Sequence, residues 1–223
     1  MNRVEDFDVV VFDMDGVLID SNRSKVQAMQ RTIDELHTEL SAEFIGYFES
    51  NFGKSRQQHF GVYQDMLSAL LAGDLFAKLD LGFSTYSEEA YLSAQVIPGV
   101  RQLLAMLESK GVTLYVATGS PQEKACTVLQ DKGLSRFFKA IYGGPVDKVS
   151  NLRKIQDAES TNRILFIGDS IQDIKSSEAC DLNFALFAPY SLHSKASLMA
   201  LKTERWVAEL DSFDSLLPDE TRV

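Results

Sequence analysis

The sequence predicts an α/β protein, a parallel sheet covered by helices, with an all-helical segment inserted after the first strand. Short, continuous apolar runs recur along the chain, as in strands buried on both faces. From the second run onward, amphipathic helical patterns separate them, the alternation that builds a parallel sheet. Between residues 21 and 94 that alternation stops and only helical stripes appear.

The first strand is Val9–Phe12, preceded by Glu5, Asp6 and Asp8 and ended by Asp13. Within the insert, Val26, Met29, Ile33, Leu36 and Leu40 recur at helical spacing and define a one-sided helix. Phe44, Phe48 and Phe52 form a shorter stripe, and Phe60, Tyr63, Leu67 and Leu71 another. These aromatic residues, with Tyr47, read as the insert's own core. The predicted division is a body of residues 1–20 and 95–223 and a helical insert of residues 21–94, both of ordinary domain size.

Pro98-Gly99 opens a helix with Val100, Leu103, Leu104 and Leu107 on one face and Gly111 just past its end. Leu114–Ala117 is the second strand. Ser120-Pro121-Gln122-Glu123 reads as an N-cap, a proline at the first helical position and a capping-box glutamate, opening a helix that runs to about Lys132 and stops at Gly133. Ala140–Tyr142 is a weak third strand, and a helix follows Pro145. Ile164–Ile167 is the fourth strand, a helix begins near Ser170, and Phe184–Phe187 is the fifth strand.

Composition narrows the function classes. The 223 residues carry a formal charge of -10, which disfavours nucleic-acid and anionic-membrane partners because both need a basic face. The longest apolar runs, Leu103–Leu107 and Phe184–Ala188, are far shorter than the ~20 residues of a membrane helix. The acidic N-terminal residues do not read as a signal peptide. Cys126 and Cys180 suggest reduced thiols rather than a disulfide framework, and a cytoplasmic location is expected.

Acidic residues gather where the strands end. Strand one stops at Asp13-Met14-Asp15-Gly16, strand two at Thr118-Gly119-Ser120, and strand four at Gly168-Asp169-Ser170, with Asp173 four residues after Asp169. Taken singly, each is an ordinary turn or helix cap. In a parallel sheet, however, the C-terminal strand ends face one ligand-binding crevice. Carboxylates meeting there repel one another and call for a cation, and hard oxygen donors suit Mg²⁺.

At this point the chain resembles a known family. Phe12-Asp13-Met14-Asp15-Gly16-Val17-Leu18 is similar to the first motif of the haloacid dehalogenase superfamily. Thr118-Gly119-Ser120 is similar to its second motif, Lys148 stands where its third-motif lysine is found, and Gly168-Asp169-Ser170-Ile171-Gln172-Asp173 resembles its fourth. The resemblance is to the branch that holds phosphoglycolate phosphatases and β-phosphoglucomutases. It implies a Rossmann-like core with an inserted helical cap, and a Mg²⁺-dependent phosphatase acting on a small phosphorylated metabolite, a sugar phosphate or a phosphoglycolate-like acid.

Residue by residue, the resemblance implies that Asp13 attacks phosphorus to form an aspartyl phosphate and that Asp15 is the acid and then the base. Residues two apart in an extended segment point the same way, so both carboxyls can reach one phosphoryl group. The implied metal set is Asp13, Asp15 (through its backbone carbonyl), Asp169 and Asp173, with Asp173 holding either the metal's waters or Lys148. Thr118, with the amides of Gly119 and Ser120, would bind phosphoryl oxygens, and Lys148 would neutralise their charge.

In the insert, Gly53-Lys54-Ser55-Arg56 is similar to the family's cap loop. Arg56, and more weakly Lys54, would contact the distal part of the substrate, the alternative being a surface loop. Lys25, close to the hinge, reads foremost as an exposed first-turn lysine and second as a substrate contact. His59 and His37 read as packed or surface residues, and His193 falls in a loop. Asp15 and Asp169 argue against a dehalogenase, and Asp15 against a phosphonate hydrolase. A phosphomutase of the β-phosphoglucomutase type remains the alternative. A non-catalytic binding protein is the rival from another class, but such scaffolds typically lose Asp13 or Asp15. A receiver domain would be much shorter and have no insert.

Overall fold

The computed structural model describes residues 4–36, 40–67 and 75–217. His37 and Leu71 lie outside them. Strand β1 (Val9–Phe12) is buried along its whole length. Four insert helices follow: α1 (Asn22–Glu35), α2 (Ser41–Ser50), α3 (Arg56–Met66) and α4 (Leu75–Ser93). The stripe predicted to run through Leu36 and Leu40 is broken. Leu36 is the C-cap of α1 and Leu40 the N-cap of α2. The apolar spacing outlasts α1 because Leu36 packs against the same cluster as α1 and α2.

That cluster joins Met29 and Ile33 of α1 to Phe44, Phe48, Phe60, Tyr63 and Phe83. Ring contacts tie it together, with Phe44 and Tyr63 4.5 Å apart and Phe48 meeting Phe83 edge-on at 5.8 Å. The aromatic stripes are thus the insert's core, as the sequence suggests.

The body continues with α5 (Val100–Ser109), β2 (Thr113–Pro121), α6 (Gln122–Asp131), β3 (Ala140–Gly144), α7 (Lys148–Ala158), β4 (Ile164–Gly168), α8 (Ile171–Ala179), β5 (Asn183–Phe187), α9 (Lys195–Met199) and β6 (Trp206–Leu210). The strands form one six-stranded sheet in the order β3-β2-β1-β4-β5-β6, with parallel pairing at each ladder. Val10, Phe12, Val116 and Ile167 point to one face and pack with α5 and α6. Val9, Val11, Ala117 and Phe166 point to the other and pack with α7 and α8. Two helical layers explain why the strands read as unbroken apolar runs.

The sixth strand is a correction to the five expected. β6 is an edge strand, Trp206-Val207-Ala208-Glu209-Leu210, mostly half-exposed with Glu209 outward, so its apolar run is only three residues long and is cut off by a charge. Among the described residues no helix is long and apolar enough to cross a membrane.

Chain connections move outward on one side of β1 to β2 and β3, then return to its other side at β4. The crevice beyond the C-terminal ends of β1 and β4 is therefore the topological switch point, where open α/β sheets bind ligands. The insert leaves and rejoins the body there, with Ile19 bridged to Val96 and the Asp20 amide donating to the Gln95 carbonyl at 2.9 Å.

Candidate active site

Each strand that reaches the switch point delivers polar side chains. The Asp13 amide still donates to the Ile167 carbonyl at 2.9 Å, so the first carboxylate is fixed by the β1–β4 ladder. The chain then turns at Gly16, whose φ is +79°. A Cβ there would stand 2.4 Å from Asp169 Oδ2 and 2.3 Å from Asn22 Nδ2, so glycine is required both for the turn and for the approach of these groups.

On β2 the pairing with β3 is lost between Ala117 and Pro121, which releases Thr118, Gly119 and Ser120 into the crevice. The expected N-cap at Ser120 is corrected. α6 starts at Gln122, with Pro121 as its N-cap residue and no side-chain cap. The Ser120 hydroxyl is committed instead to Asp15 Oδ2, to which it donates at 2.9 Å.

Ser170 and Asp173 cap α8 reciprocally, each side chain meeting the other's backbone amide. Asp173 Oδ2 also accepts from the Asp169 amide at 3.2 Å and the Ser170 hydroxyl at 2.6 Å, while Oδ1 accepts from Lys148. Lys148 is the first residue of α7, behind its N-cap Asp147, and its Nζ donates to Asp13 Oδ1 at 2.9 Å. All four side chains, Asp13, Lys148, Asp169 and Asp173, are buried.

The cluster fits a divalent cation. Ligand oxygens of Asp13, Asp169 and Asp173 lie within 4.8 Å of one another. Asp169 Oδ2 accepts from Asn22 at 2.8 Å, but its Oδ1 is buried with no partner. Burial pushes the Asp13 carboxyl up to about 7; Lys148 opposes this, and repulsion from Asp173 and Asp15 adds to it. Asp169 is raised well above the carboxylate range by burial and then by Asp173 and Asp13. Carboxylates stranded in this way are stabilised by a bound cation, and the partnerless Asp169 oxygen is a natural ligand atom.

Asp15 lies apart from this cluster, in a network anticipated only in part. Lys25 Nζ donates to Asp15 Oδ2 at 2.8 Å and to the Ser120 hydroxyl at 2.9 Å. Ser21 donates to Asp15 Oδ1 at 2.6 Å, and the Tyr91 hydroxyl pairs with that of Ser120 at 2.8 Å. Lys25 is thus not an exposed first-turn lysine but a buried ion-pair partner. Burial would raise Asp15, yet the Lys25 charge and the hydrogen bonds of Lys25, Ser21 and Ser120 outweigh it and hold the carboxyl below its usual range. Burial and the Asp15 charge push Tyr91 up to about 12. The missed signal was periodic, since Lys25 stands at steps of four from the buried Met29 and Ile33 on α1. Ser21, Asn22 and Tyr91 carried no comparable mark.

Between insert and body lies a small cavity of about 40 Å³, lined by Asp13, Asp15, Lys25, Thr118, Gly119 and Ser120 from below and by Phe52, Lys54, Arg56, His59, Ser87 and Tyr91 above. Both Arg56 and Lys54 therefore reach it. Arg56 is already clamped, with Nη1 donating to Asp80 at 2.7 Å and to Ser84, and the guanidinium 4.9 Å above the Phe83 ring. Lys54 sits 5.5 Å over the Tyr47 ring. At the cavity's edge the backbones nearly touch, because a Cβ on Gly119 would lie 2.6 Å from the Gly53 carbonyl.

His59 is buried against Phe48, 4.6 Å away, and Tyr47. Burial, then the charges of Lys54 and Lys25, depress its pKa to about 3. The folded imidazole is therefore neutral where an unfolded one titrates near 6.5. Below that pH the unfolded chain binds the extra proton, so stability is full above about pH 6.5 and falls by about 1.4 kcal/mol per pH unit as acid is added. Urea titrations between pH 7 and 4 should show this slope reduced in His59→Phe; an unaltered slope in the variant would contradict it.

The comparisons with known proteins agree with this geometry. Residues 10–187 match the family model of haloacid dehalogenase-like hydrolases. The chain is 26% identical over 204 residues to a phosphoglycolate phosphatase of Shigella boydii, covering 80% of each chain. To the phosphoglycolate phosphatase of Aliivibrio fischeri it is 25% identical, over 84% of this chain and 87% of that one. Among solved structures it is similar in fold to a hydrolase from Pseudomonas syringae, with a TM-score of 0.77 at 16% identity, covering 92% of this chain and 93% of that one. It is also similar to a haloacid dehalogenase-like family protein from Streptococcus pneumoniae, with a TM-score of 0.72 at 19% identity, covering 94% and 96%. With its motifs on the ends of β1, β2 and β4 and its helical insert after the first of them, the chain belongs to the haloacid dehalogenase-like hydrolase family.

Proposed function

We propose that the chain is a phosphatase that hydrolyses a small phosphomonoester through an aspartyl phosphate on Asp13, with residues 21–94 acting as a cap over the body. The observation that carries this is the division of labour between two carboxylates lining one cavity. Asp13 stands in the cation-demanding cluster, whereas Asp15 is held apart and ionised by Lys25. Asp13, Asp169 and the Asp15 backbone carbonyl would hold Mg²⁺, which supplies the positive charge that lets an anionic ester approach an anionic nucleophile. The oxygens of Asp173 are engaged by Lys148, Ser170 and the Asp169 amide, so Asp173 serves better to aim Lys148 than to ligate.

Asp13 attacks phosphorus in line, and the ester oxygen leaves. Thr118 and the amide of Gly119 donate to the phosphoryl oxygens, and Lys148 balances their charge as it migrates. Entry of the anionic ester beside Asp15 raises that group's proton affinity, so Asp15 takes up a proton from solvent and passes it to the leaving oxygen, becoming a carboxylate again. Asp15 then removes the proton from the water that hydrolyses the aspartyl phosphate, and Lys25, Ser21 and Ser120 hold it in place for both steps.

A phosphate-release screen over a panel of phosphomonoesters, with Mg²⁺ and with EDTA, tests this reading. Release that stops in EDTA and returns with Mg²⁺ is expected. Isomerisation of a hexose 1-phosphate without phosphate release would instead make the chain a phosphomutase, and full activity in EDTA would remove the metal.

Metal binding also has a signature without turnover. At a Mg²⁺ concentration 100-fold above Kd, linkage contributes about 2.7 kcal/mol, or about 5–10 °C in Tm for a chain of this size. Asp169→Asn should lose most of that shift; a full shift in the variant would place the cation elsewhere.

A further inference from the structure

Three residues that line the same cavity, all from the cap, each carry a buried polar atom without a hydrogen-bond partner. The atoms are Nε of Arg56, Nδ1 of His59 and Oγ of Ser87. Ser87 is 2% exposed and His59 3% exposed. An unsatisfied buried polar group costs about 1–3 kcal/mol, and three around one space are explained by a ligand that bonds to them. Two of the three are fixed in place. Arg56 is clamped by Asp80, Ser84 and the Phe83 ring, and His59 is wedged between Phe48 and Tyr47.

We infer that His59 and Ser87, together with Arg56, form a wall that selects a hydroxyl-bearing leaving group, so that the substrate is a sugar or polyol phosphate rather than a short phosphorylated acid. The inference rests on the phosphatase reading and names its substrate class. The wall's chemistry points to alcohols. Arg56 Nε donates, the Ser87 hydroxyl both donates and accepts, and His59 Nδ1 does one or the other according to the imidazole tautomer. An alcohol hydroxyl also does both, while a carboxylate only accepts. Two of the cavity's cations are spoken for, Arg56 by Asp80 and Lys25 by Asp15, which leaves little for an acid to pair with beyond Lys54.

Space agrees. The inner cavity is small, but Arg56, Ser87, Gly119 and Pro121 also line an adjoining cleft of about 510 Å³. The wall therefore stands at a doorway, and a leaving group several carbons long would pass His59 and Ser87 on its way into the cleft.

Three substrates separate the possibilities: ribose 5-phosphate (hydroxyls), 2-phosphoglycolate (a carboxylate) and phenyl phosphate (neither). The parent should favour ribose 5-phosphate over both others in kcat/KM. Ser87→Ala and His59→Phe should each cut that preference about fivefold or more, mainly through KM, as loss of one hydrogen bond of about 1 kcal/mol predicts. A preference for 2-phosphoglycolate in the parent, or a ratio unmoved in both variants, overturns the inference.

A binding arm is independent of turnover. In Asp13→Asn protein with Mg²⁺, ribose 5-phosphate should raise Tm more than inorganic phosphate does, and Ser87→Ala should reduce the difference. If that difference appears but no ester is hydrolysed, the wall stands and the phosphatase reading falls. If all three esters are hydrolysed equally and the thermal shifts are equal, the phosphatase reading stands and the wall falls.

Discussion

Asp13→Asn is expected to lower turnover by about 10⁴-fold or more, about 5.5 kcal/mol of barrier, while leaving the fold intact. An amide nitrogen or oxygen cannot replace a carboxylate as the group that takes the phosphoryl. The same substitution removes a charge the folded protein tolerates poorly. With its pKa raised to about 7, Asp13 loses its proton later in the folded chain than in the unfolded one. Stability therefore falls as pH rises from about 4 toward 7 in metal-free protein. Metal-free Asp13→Asn should accordingly melt no lower than the parent at pH 8, with Lys148 still paired to Asp173. Residual activity within a hundredfold of the parent would dismiss Asp13 as nucleophile. A large drop in Tm would show that its charge is stabilising.

Lys25→Met is expected to cost about 3–5 kcal/mol at neutral pH, because it leaves Asp15 ionised and buried with no cation. The ammonium also bonds the Ser120 hydroxyl and sits 5.2 Å from the Phe52 ring and 5.5 Å from that of Tyr91, so one side chain joins α1 to β2, α4 and the turn after β1. Asp15→Asn in the same chain removes the stranded charge. The double variant should then be more stable than Lys25→Met alone, measured by urea midpoint. If the two losses simply add, the ion pair is not what Lys25 provides. Activity should drop in the single variant as well, since Asp15 loses the Lys25 bond that helps to position it and faces the crevice without its counter-charge.

These two residues mark how far the sequence could be read. Asp13 was plain, because an acidic residue ending a four-residue apolar strand is a local pattern, and the switch point follows from strand alternation. The same holds for Asp169 at the end of β4 and for Ser170 capping α8. Lys25 was not plain, because its partner is ten residues away across a turn and its meaning lies in a contact between insert and body. Ser21, Asn22 and Tyr91 share that difficulty, each bonding across the interface between the two. The edge strand β6 escaped for another reason, as a half-exposed strand shows only a short apolar run, here Trp206-Val207-Ala208 before Glu209. Arg56 lines the cavity, but its clamp by Asp80 and Ser84 depends on how α3 meets α4, which no local pattern shows.

Gly119 of the body and the Gly53 carbonyl of the insert approach each other closely. Backbone meets backbone there, with no side chain on either side to cushion the contact. The spacing of the two backbones there is therefore set by one hydrogen atom at position 119. Even a methyl group there would act as a doorstop, holding Lys54 and Arg56 back from the crevice while leaving the carboxylates of the body where they are.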